Sequence, residues 1–179
     1  EFGDFQCPGC RVFALSTEKE LQEKYSGKIK FVYHHYPLPI HPNAQNAAEA
    51  TEAAGAQGKF WEYHDLLYAR QQSEATLWTT EKLTDYAREL GLDTERLKRE
   101  LSQNYYKEAV NKSAKIAKDK NITSTPTLLV NGKEVKGPLD PSSGQQTIAD
   151  FDSLEKAILE ILGEDAKAID TPTPTATPS

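Results

Sequence analysis

Two cysteines stand three residues apart near the start of the sequence, in Cys7-Pro8-Gly9-Cys10, and the chain of 179 residues has no others. Side chains at positions i and i+3 of a helical turn share one face, so their Cα atoms can reach the roughly 4.4–6.8 Å that a disulfide requires. Pro8 suits the first helical position, because its missing N–H would have no partner there. The spacing predicts a reversible disulfide at the start of a helix, with Cys7 as the cap.

The helix gives the two thiols different predicted roles. Unpaired backbone N–H groups and the helix dipole favour a thiolate at Cys7, and these effects alone predict a pKa of about 7 to 8. Cys7 is therefore the expected nucleophile. Cys10 lies one turn inside the helix and suits the resolving role, in which it breaks a mixed disulfide. Asp4 would raise the pKa of Cys7 if its charge lay close, and exposure of Asp4 to solvent is the open alternative.

A CxxC motif is also half of a zinc site, so the motif alone leaves a metal clip and an inert pair as alternatives to redox chemistry. None of the histidines has the spacing of a zinc-finger pair; they stand at His34, His35, His41 and His64. His64 shares a helical stripe with Phe60 and Leu67, which favours a packing role over a ligand role.

The elements around the motif alternate between helix and strand. Residues 11–27 carry one apolar helical face and end at Gly27, a residue suited to a left-handed cap. Residues 28–36, KIKFVYHHY, are rich in β-branched and aromatic side chains and are followed by Pro37, which predicts a strand of about six to eight residues. A strand end, a helix and a strand make a βαβ start.

The middle third is predicted to be helical and the end to be mixed. Five helices are expected, over residues 42–57, 59–72, 80–91, 94–102 and 106–120. TLLV and KEV then flank Asn131-Gly132, a strong hairpin signal because both turn positions need positive φ. A last amphipathic helix is expected over residues 147–162, with Ile148 on its apolar stripe.

Composition limits the possible functions. The chain is 37% hydrophobic and 27% charged, as expected for a single globular domain. Its formal charge of -6, without a run of Lys and Arg, argues against nucleic acid as a partner. The chain contains no Met, and we expect a mature domain or fragment whose targeting sequence lies upstream. Residues 164–179, which end in TPTPTATPS, are expected to be disordered.

Thr125-Pro126 comes directly before the strand TLLV. A trans proline would fit poorly at the start of a paired strand, and a cis bond would remove the problem. An ordinary edge-strand proline is the commoner arrangement, because only about 5–6% of X–Pro bonds are cis. The residues alone therefore favour the trans form.

Four segments, EFGDFQCPGC, FVYHHYPLPIHPNA, GKFWEYHDLLY and STPTLLVNGKEVKG, occur in this order, and together they resemble the DsbA-like branch of the thioredoxin superfamily. The resemblance implies an α/β thioredoxin fold with an inserted α-helical subdomain. The first half of the thioredoxin fold would span residues 1–40 and the second half residues 121–163. The helical insertion would lie between them, at residues 41–120, and the tail would follow at residues 164–179.

The resemblance also implies a set of site residues. Cys7 and Cys10 would form the redox centre, and a cis Pro126 would face them. Thr125 would offer its backbone to a substrate peptide by strand addition. Glu1 matches the position of a buried acid that moves protons to or from the resolving thiol.

Between the cysteines, Pro8 and Gly9 would contact substrate. The Pro-Gly pair differs from the Pro-His of strongly oxidising members, so a strongly destabilised disulfide is not implied. The expected function is disulfide exchange with cysteine-containing proteins outside the cytoplasm, in oxidative folding. No bound cofactor or metal is expected, and the chain is expected to act as a monomer.

A membrane redox partner would reoxidise or reduce the CxxC, and any membrane anchor would lie upstream of Glu1. The alternative function is a polypeptide-binding thioredoxin-like protein whose CxxC is a metal clip or inactive.

Overall fold

The chain begins with a βαβ unit, as predicted. In the computed structural model, which describes residues 1–74 and 78–163, the first elements are β1 (Phe2–Gly3), α1 (Pro8–Leu15), α2 (Thr17–Lys24) and β2 (His34–His35). β1 and β2 pair in parallel. The predicted βαβ start is confirmed, whereas the tail predicted to be disordered, residues 164–179, lies outside the described residues.

The single helix expected after the cysteines is two helices. Ser16 separates α1 from α2 with φ −128° and ψ −84°, outside the helical region. The hydroxyl of Ser16 donates to Val12 O at 2.6 Å, a side-chain bond that bends or interrupts helices. Phe13 and Leu21 nevertheless pack in one apolar cluster, so the predicted apolar face continues across the break. Gly27 has the positive φ expected of it, 73°.

The predicted strand over residues 28–36 is much shorter in the structure. Its backbone bonds to β1 run from Val32 to Tyr36, with N···O distances of 2.7–2.8 Å. Residues 29–32 and β3 (Leu128–Val130) both line an apolar groove of about 490 Å³. The described strand is therefore confined to His34 and His35, which pair with Phe2 and Gly3.

The five predicted helices of the middle third are present in the structure. They are α3 (Ala44–Gly55), α4 (Phe60–Glu74), α5 (Thr80–Glu89), α6 (Thr94–Ser102) and α7 (Lys107–Asp119). The side chain of Thr79 caps α5 and that of Asp93 caps α6, each accepting from a backbone N–H three residues later. Local capping chemistry fixes these helix starts.

The hairpin and the last helix complete the fold. β3 pairs antiparallel with β4 (Lys133–Val135), and the turn residues Asn131 and Gly132 have φ of 46° and 81°. The predicted hairpin is confirmed. α8 (Phe151–Leu162) starts later than the predicted residue 147, because Asp150 caps it by accepting from Ser153 N at 2.9 Å.

The main core joins the CxxC helix to the helical middle third. It contains both cysteines and buried side chains of α3 to α6, among them Tyr63, Leu67, Tyr68, Leu83, Tyr86 and Leu97. Within this cluster the phenol oxygens of Tyr33 and Tyr68 lie 2.8 Å apart. A second cluster packs α2 and α8 against β3. The cysteines thus lie where the βαβ unit meets the helices.

Candidate active site

Both cysteines lie at the start of α1. Cys7 is the N-cap residue, with φ −74° and ψ 120°, and Pro8 is in the first turn, as predicted. Both residues carry free thiols. The exposed fraction is 8% for Cys7 and 0% for Cys10. Both cysteines are largely buried, and Cys7 is the more exposed of the two, whereas the sulfur of Cys10 is fully enclosed.

The two thiols differ in acidity. The pKa of Cys7 is lowered from 9.0 to about 6, chiefly because the Cys10 thiol hydrogen-bonds to its sulfur. Burial opposes this shift, and the Thr125 side chain and the backbone N–H groups of Gly9 and Cys10 reinforce it. Burial, followed by the hydrogen bond to Cys7, raises the pKa of Cys10 well above 9.0. The pKa of Cys7 lies below the value of about 7 to 8 that a helix terminus predicts, because that expectation left out the bond from Cys10.

The Thr125–Pro126 segment lies against Cys7, and its peptide bond is cis. Phe2 and Thr127 form an antiparallel bridge with N···O distances of 2.9 and 3.1 Å, which brings the segment to the CxxC loop. The thiol of Cys7 donates to Thr125 O at 3.2 Å. Thr125 therefore contacts the sulfur of Cys7, and the roles that the family resemblance implies for Thr125 and Pro126 stay predictions.

Gly9 is closely enclosed by two side chains. A Cβ atom at this position would lie 2.7 Å from Ile148 Cδ1 and 3.1 Å from Pro126 Cδ, so a larger residue would have to displace Ile148. Ile148 is 43% exposed and lies before α8, not on its apolar stripe. Its place at the rim of the site differs from the predicted place on the last helix. Asp150, read as a helix cap, would have placed it in the preceding loop.

Asp4 is buried, which excludes the solvent-exposed alternative. Its carboxylate accepts from the backbone N–H groups of Gln6 and Leu38, each at 2.7 Å, and lies 2.8 Å from Nδ1 of His41. The backbone N–H of Asp4 donates to Cys10 Sγ at 3.4 Å. This network joins the CxxC loop to the segment that leads into α3.

Gln71 connects α4 to the CxxC loop. Its buried side-chain amide donates from Nε2 to Phe5 O at 2.7 Å and to Cys7 O at 2.9 Å. No local sequence pattern marks Gln71, because its hydrogen bond to Cys7 joins residues 64 positions apart. Gln71 therefore positions the backbone that carries Cys7.

The substitution Gln71→Leu is expected to lower the free energy of unfolding by about 1–3 kcal/mol, because it leaves buried carbonyl oxygens without this donor. Urea unfolding measures the change. The neighbouring Gln72 is exposed, so Gln72→Leu is the matched control and should change stability by less than about 0.5 kcal/mol. Equal effects of the two substitutions would contradict a positioning role for Gln71.

Comparison with known proteins places this geometry in a family. The model of the family described as Thioredoxin matches residues 1–150. The chain belongs to the thioredoxin family. A curated relative of this thioredoxin-family chain is the Na(+)/H(+) antiporter NhaA 3 of Salinispora tropica, which is 38% identical over 139 residues. That match covers 77% of this chain and 20% of the relative, so the chain spans about a fifth of the antiporter's length.

Solved structures support the same family. The crystal structure of oxidised BdbD from Bacillus subtilis is 28% identical, with a TM-score of 0.77, and the match covers 90% of this chain and 85% of BdbD. MdbA of Corynebacterium diphtheriae, described as a thiol-disulfide oxidoreductase, is 25% identical, with a TM-score of 0.65 and coverage of 75% and 74%. The thioredoxin fold with a helical insertion and the DsbA-like resemblance are confirmed, whereas the domain boundaries stay predictions.

A buried polar group lies near the resolving thiol of this thioredoxin-family chain. Glu1 and Glu18 are 8% and 2% exposed. Burial is the main cause that raises the pKa of Glu1 to about 8 and that of Glu18 to about 9. The charge of Glu1 also contributes to the raised pKa of Cys10. The two groups therefore interact electrostatically, and a role of Glu1 in proton transfer stays a prediction.

The histidines lie at separate places. His35 pairs through Nε2 with Glu52 at 3.0 Å, and His34 stacks on Phe2 with ring centroids 4.8 Å apart. His64 is fully buried among aromatic rings, as the packing interpretation predicts. Over residues 1–74 and 78–163, no third metal-capable side chain joins the two sulfurs closely enough to share an ion. The geometry therefore gives no support to a zinc clip at the cysteines.

Proposed function

We propose that the chain is a thiol-disulfide oxidoreductase that uses Cys7 and Cys10 to exchange disulfides with cysteines of extracytoplasmic proteins during oxidative folding. The observation that carries the proposal is the contrast between an accessible Cys7, whose pKa is about 6, and a buried Cys10, whose pKa is raised. A thiolate is both the better nucleophile and the better leaving group. The similarity to MdbA, described as a thiol-disulfide oxidoreductase, supports this function.

In the oxidising direction a substrate thiolate attacks the Cys7 sulfur of the Cys7–Cys10 disulfide. The S–S bond breaks, Cys10 leaves with the electron pair and takes up a proton, and a mixed disulfide with Cys7 forms. A second substrate thiolate then attacks the substrate sulfur of that mixed disulfide, and Cys7 leaves as a thiolate. The substrate loses two electrons and the CxxC gains them. In the reducing direction the same steps run backwards.

Glu1 is the group proposed to move the proton of Cys10. Because its pKa is about 8, the carboxyl of Glu1 holds a proton at neutral pH. It can therefore supply that proton when Cys10 is released. The carboxylate left by this transfer, which is the minor form at neutral pH, is the form that can accept a proton when Cys10 attacks. The raised pKa of Cys10 makes such a partner necessary, because a bare thiolate is disfavoured in the buried position.

The surface proposed to bind substrate surrounds Cys7. Pro8 and Gly9 lie beside it in the loop, and Thr125 and the cis Pro126 face it. A substrate peptide would pair with the backbone of Thr125 in the manner of strand addition. The roles of these residues remain part of the proposal.

The proposed setting is the outer side of the cell membrane. A membrane redox partner would reoxidise or reduce the CxxC, and any anchor would lie upstream of Glu1. The match to part of an Na(+)/H(+) antiporter supports an association with a membrane. Among the described residues, no helix has the length and apolar content to cross a bilayer. We propose a monomer that needs no cofactor beyond its own disulfide and does not bind nucleic acid.

An equilibrium redox titration of the Cys7–Cys10 pair in glutathione buffers, read by thiol alkylation, tests the proposal. A potential near about −120 to −180 mV supports an oxidase or isomerase, whereas one near about −270 mV supports a reductase and contradicts oxidative folding. If no disulfide forms between Cys7 and Cys10 at any redox potential of the buffer, the proposed redox function is wrong. A polypeptide-binding protein with an inactive CxxC would then be the better description.

A further inference from the structure

His64 is held with one ring nitrogen free. Its Nδ1 lies 2.9 Å from Oδ1 of Asp65, and because a carboxylate only accepts, this bond places the proton on Nδ1 and leaves the lone pair on Nε2. Nε2 is buried and has no hydrogen-bond partner in the described part of the chain. A histidine that donates one N–H to a carboxylate and presents its other nitrogen is the usual arrangement of a metal ligand.

Two carboxyl groups face that free nitrogen. Oε2 of Glu18 lies 4.0 Å from Nε2 of His64, which is too far for a hydrogen bond. This oxygen and both carboxyl oxygens of Glu1 are buried without a hydrogen-bond partner among the described residues. Ligand atoms of Glu1, Glu18 and His64 all lie within 4.8 Å of one another. Four polar atoms therefore lie around one buried position, and none of them has a hydrogen-bond partner among the described residues: Oε1 and Oε2 of Glu1, Oε2 of Glu18 and Nε2 of His64.

The distances suit a shared metal ion. With bonds of about 2.0–2.2 Å, two ligands of one ion can lie up to about 4.2 Å apart, so a contraction of about half an ångström brings all three into range. Rigid elements present the ligands: Glu1 adjoins β1, Glu18 lies on α2 and His64 on α4. Imidazole and carboxylate ligands suit first-row divalent ions such as Zn²⁺.

The charges also balance. Two carboxylates and a neutral imidazole around a divalent cation sum to zero, which is the net charge that a buried site favours. Without a cation, burial keeps both carboxyl groups protonated at neutral pH, so a bound ion would displace their protons.

We propose that Glu1, Glu18 and His64 form a binding site for a divalent transition-metal ion of the Zn²⁺ type, with solvent completing its coordination. The site uses no cysteine and goes beyond the proposed thiol chemistry, although it shares Glu1 with the proposed proton transfer. A bound ion would hold Glu1 as a carboxylate and would compete with that transfer. A bound ion would connect β1, α2 and α4, and would stabilise the folded chain in proportion to its concentration.

Zinc titration of the full chain with Cys7→Ser and Cys10→Ser tests the site, because these substitutions remove every thiol. After treatment with EDTA, competition against a chromophoric chelator is expected to show one bound Zn²⁺ per chain. In this background Glu18→Gln and His64→Gln should each weaken binding by more than about 100-fold, and Asp65→Asn by about 10- to 100-fold. Glu20→Gln on the exposed face of α2 and His34→Gln are the matched controls and should leave the affinity unchanged.

X-ray absorption of the zinc-loaded thiol-free chain reads the ligands directly, so the test holds even if a substitution disturbs folding. The expected shell contains oxygen and nitrogen with one imidazole. Failure of the thiol-free chain to bind Zn²⁺, a shell without imidazole, or an unchanged affinity in Glu18→Gln would each overturn the proposal. The redox titration of the unsubstituted chain is independent of these results, so failure of the metal site and failure of the redox function are distinguishable.

Discussion

Replacing Cys7 with serine is expected to abolish disulfide exchange, with a fall in rate of at least about 1,000-fold. Cys7 is the more exposed of the two cysteines, whereas Cys10 is fully enclosed. A serine hydroxyl forms no disulfide and is not ionised near neutral pH, so neither direction of exchange can begin. Reduction of a disulfide-bonded model protein, followed by free-thiol release, measures the loss.

Cys10→Ser is the matched variant, because it removes the other thiol of the pair and keeps the accessible one. We expect it to retain attack by Cys7 and to accumulate mixed disulfides, since no second thiol resolves them. Non-reducing electrophoresis and mass spectrometry detect the trapped species. Turnover that persists in Cys7→Ser, or mixed disulfides that form equally in that variant, would contradict the assignment of Cys7 as the nucleophile.

The rate of alkylation of Cys7 is expected to reach half its maximum at about pH 6, three units below the ordinary thiol value of 9.0. Iodoacetamide reacts with the thiolate, so the pH profile of the rate reports the pKa. Cys10 should react far more slowly, because burial raises its pKa and encloses its sulfur. Mass spectrometry after partial alkylation distinguishes the two positions.

The lowered pKa of Cys7 also determines how the stability and the reduction potential of the protein depend on pH. The thiolate stabilises the folded reduced form above the unfolded-state pKa of 9.0, and this contribution falls as the pH drops from there through about 6. The reduction potential should therefore change by about 59 mV per pH unit below pH 6 and by about 30 mV per unit above it, because one proton fewer accompanies the two electrons.

Two substitutions of Cys10 test the cause of this shift. Cys10→Ala removes the hydrogen-bond donor that chiefly lowers the pKa of Cys7, and it should raise that pKa. Cys10→Ser keeps a hydroxyl donor and should raise it less. An alkylation profile centred near pH 9 in the unsubstituted chain would show that the thiolate is not stabilised.

Local chemistry explains the parts of the fold that the sequence predicts well. Asn131 and Gly132 adopt the positive φ values that a tight hairpin needs, and Thr79 and Asp93 cap the helices that they precede. Cys7 and Pro8 likewise start α1 because cap and first-turn preferences act between neighbouring residues. Each of these signals is complete within a few positions of the chain.

Contacts between distant residues explain what could not be predicted. The helix break at Ser16 follows from one hydroxyl bond to Val12, and the same residue types occur in unbroken helices. The extent of β2 depends on its pairing with Phe2 and Gly3, and the β-prone composition of residues 29–32 carries no information about that partner. Gln71 and the Glu18–His64 contact join positions more than 40 residues apart, so no spacing rule brings them together.

The hydroxyl pair of Tyr33 and Tyr68 has a consequence for how related sequences can diverge. Changing either tyrosine alone to phenylalanine leaves the other hydroxyl in the aromatic cluster without its partner at 2.8 Å. A buried polar group that loses its partner costs about 1–3 kcal/mol, whereas replacing both partners with apolar groups of the same shape is nearly neutral. We therefore expect related sequences to carry either two tyrosines or two phenylalanines at positions 33 and 68. Sequences with one of each should be rare, so that substitutions at the two positions occur together.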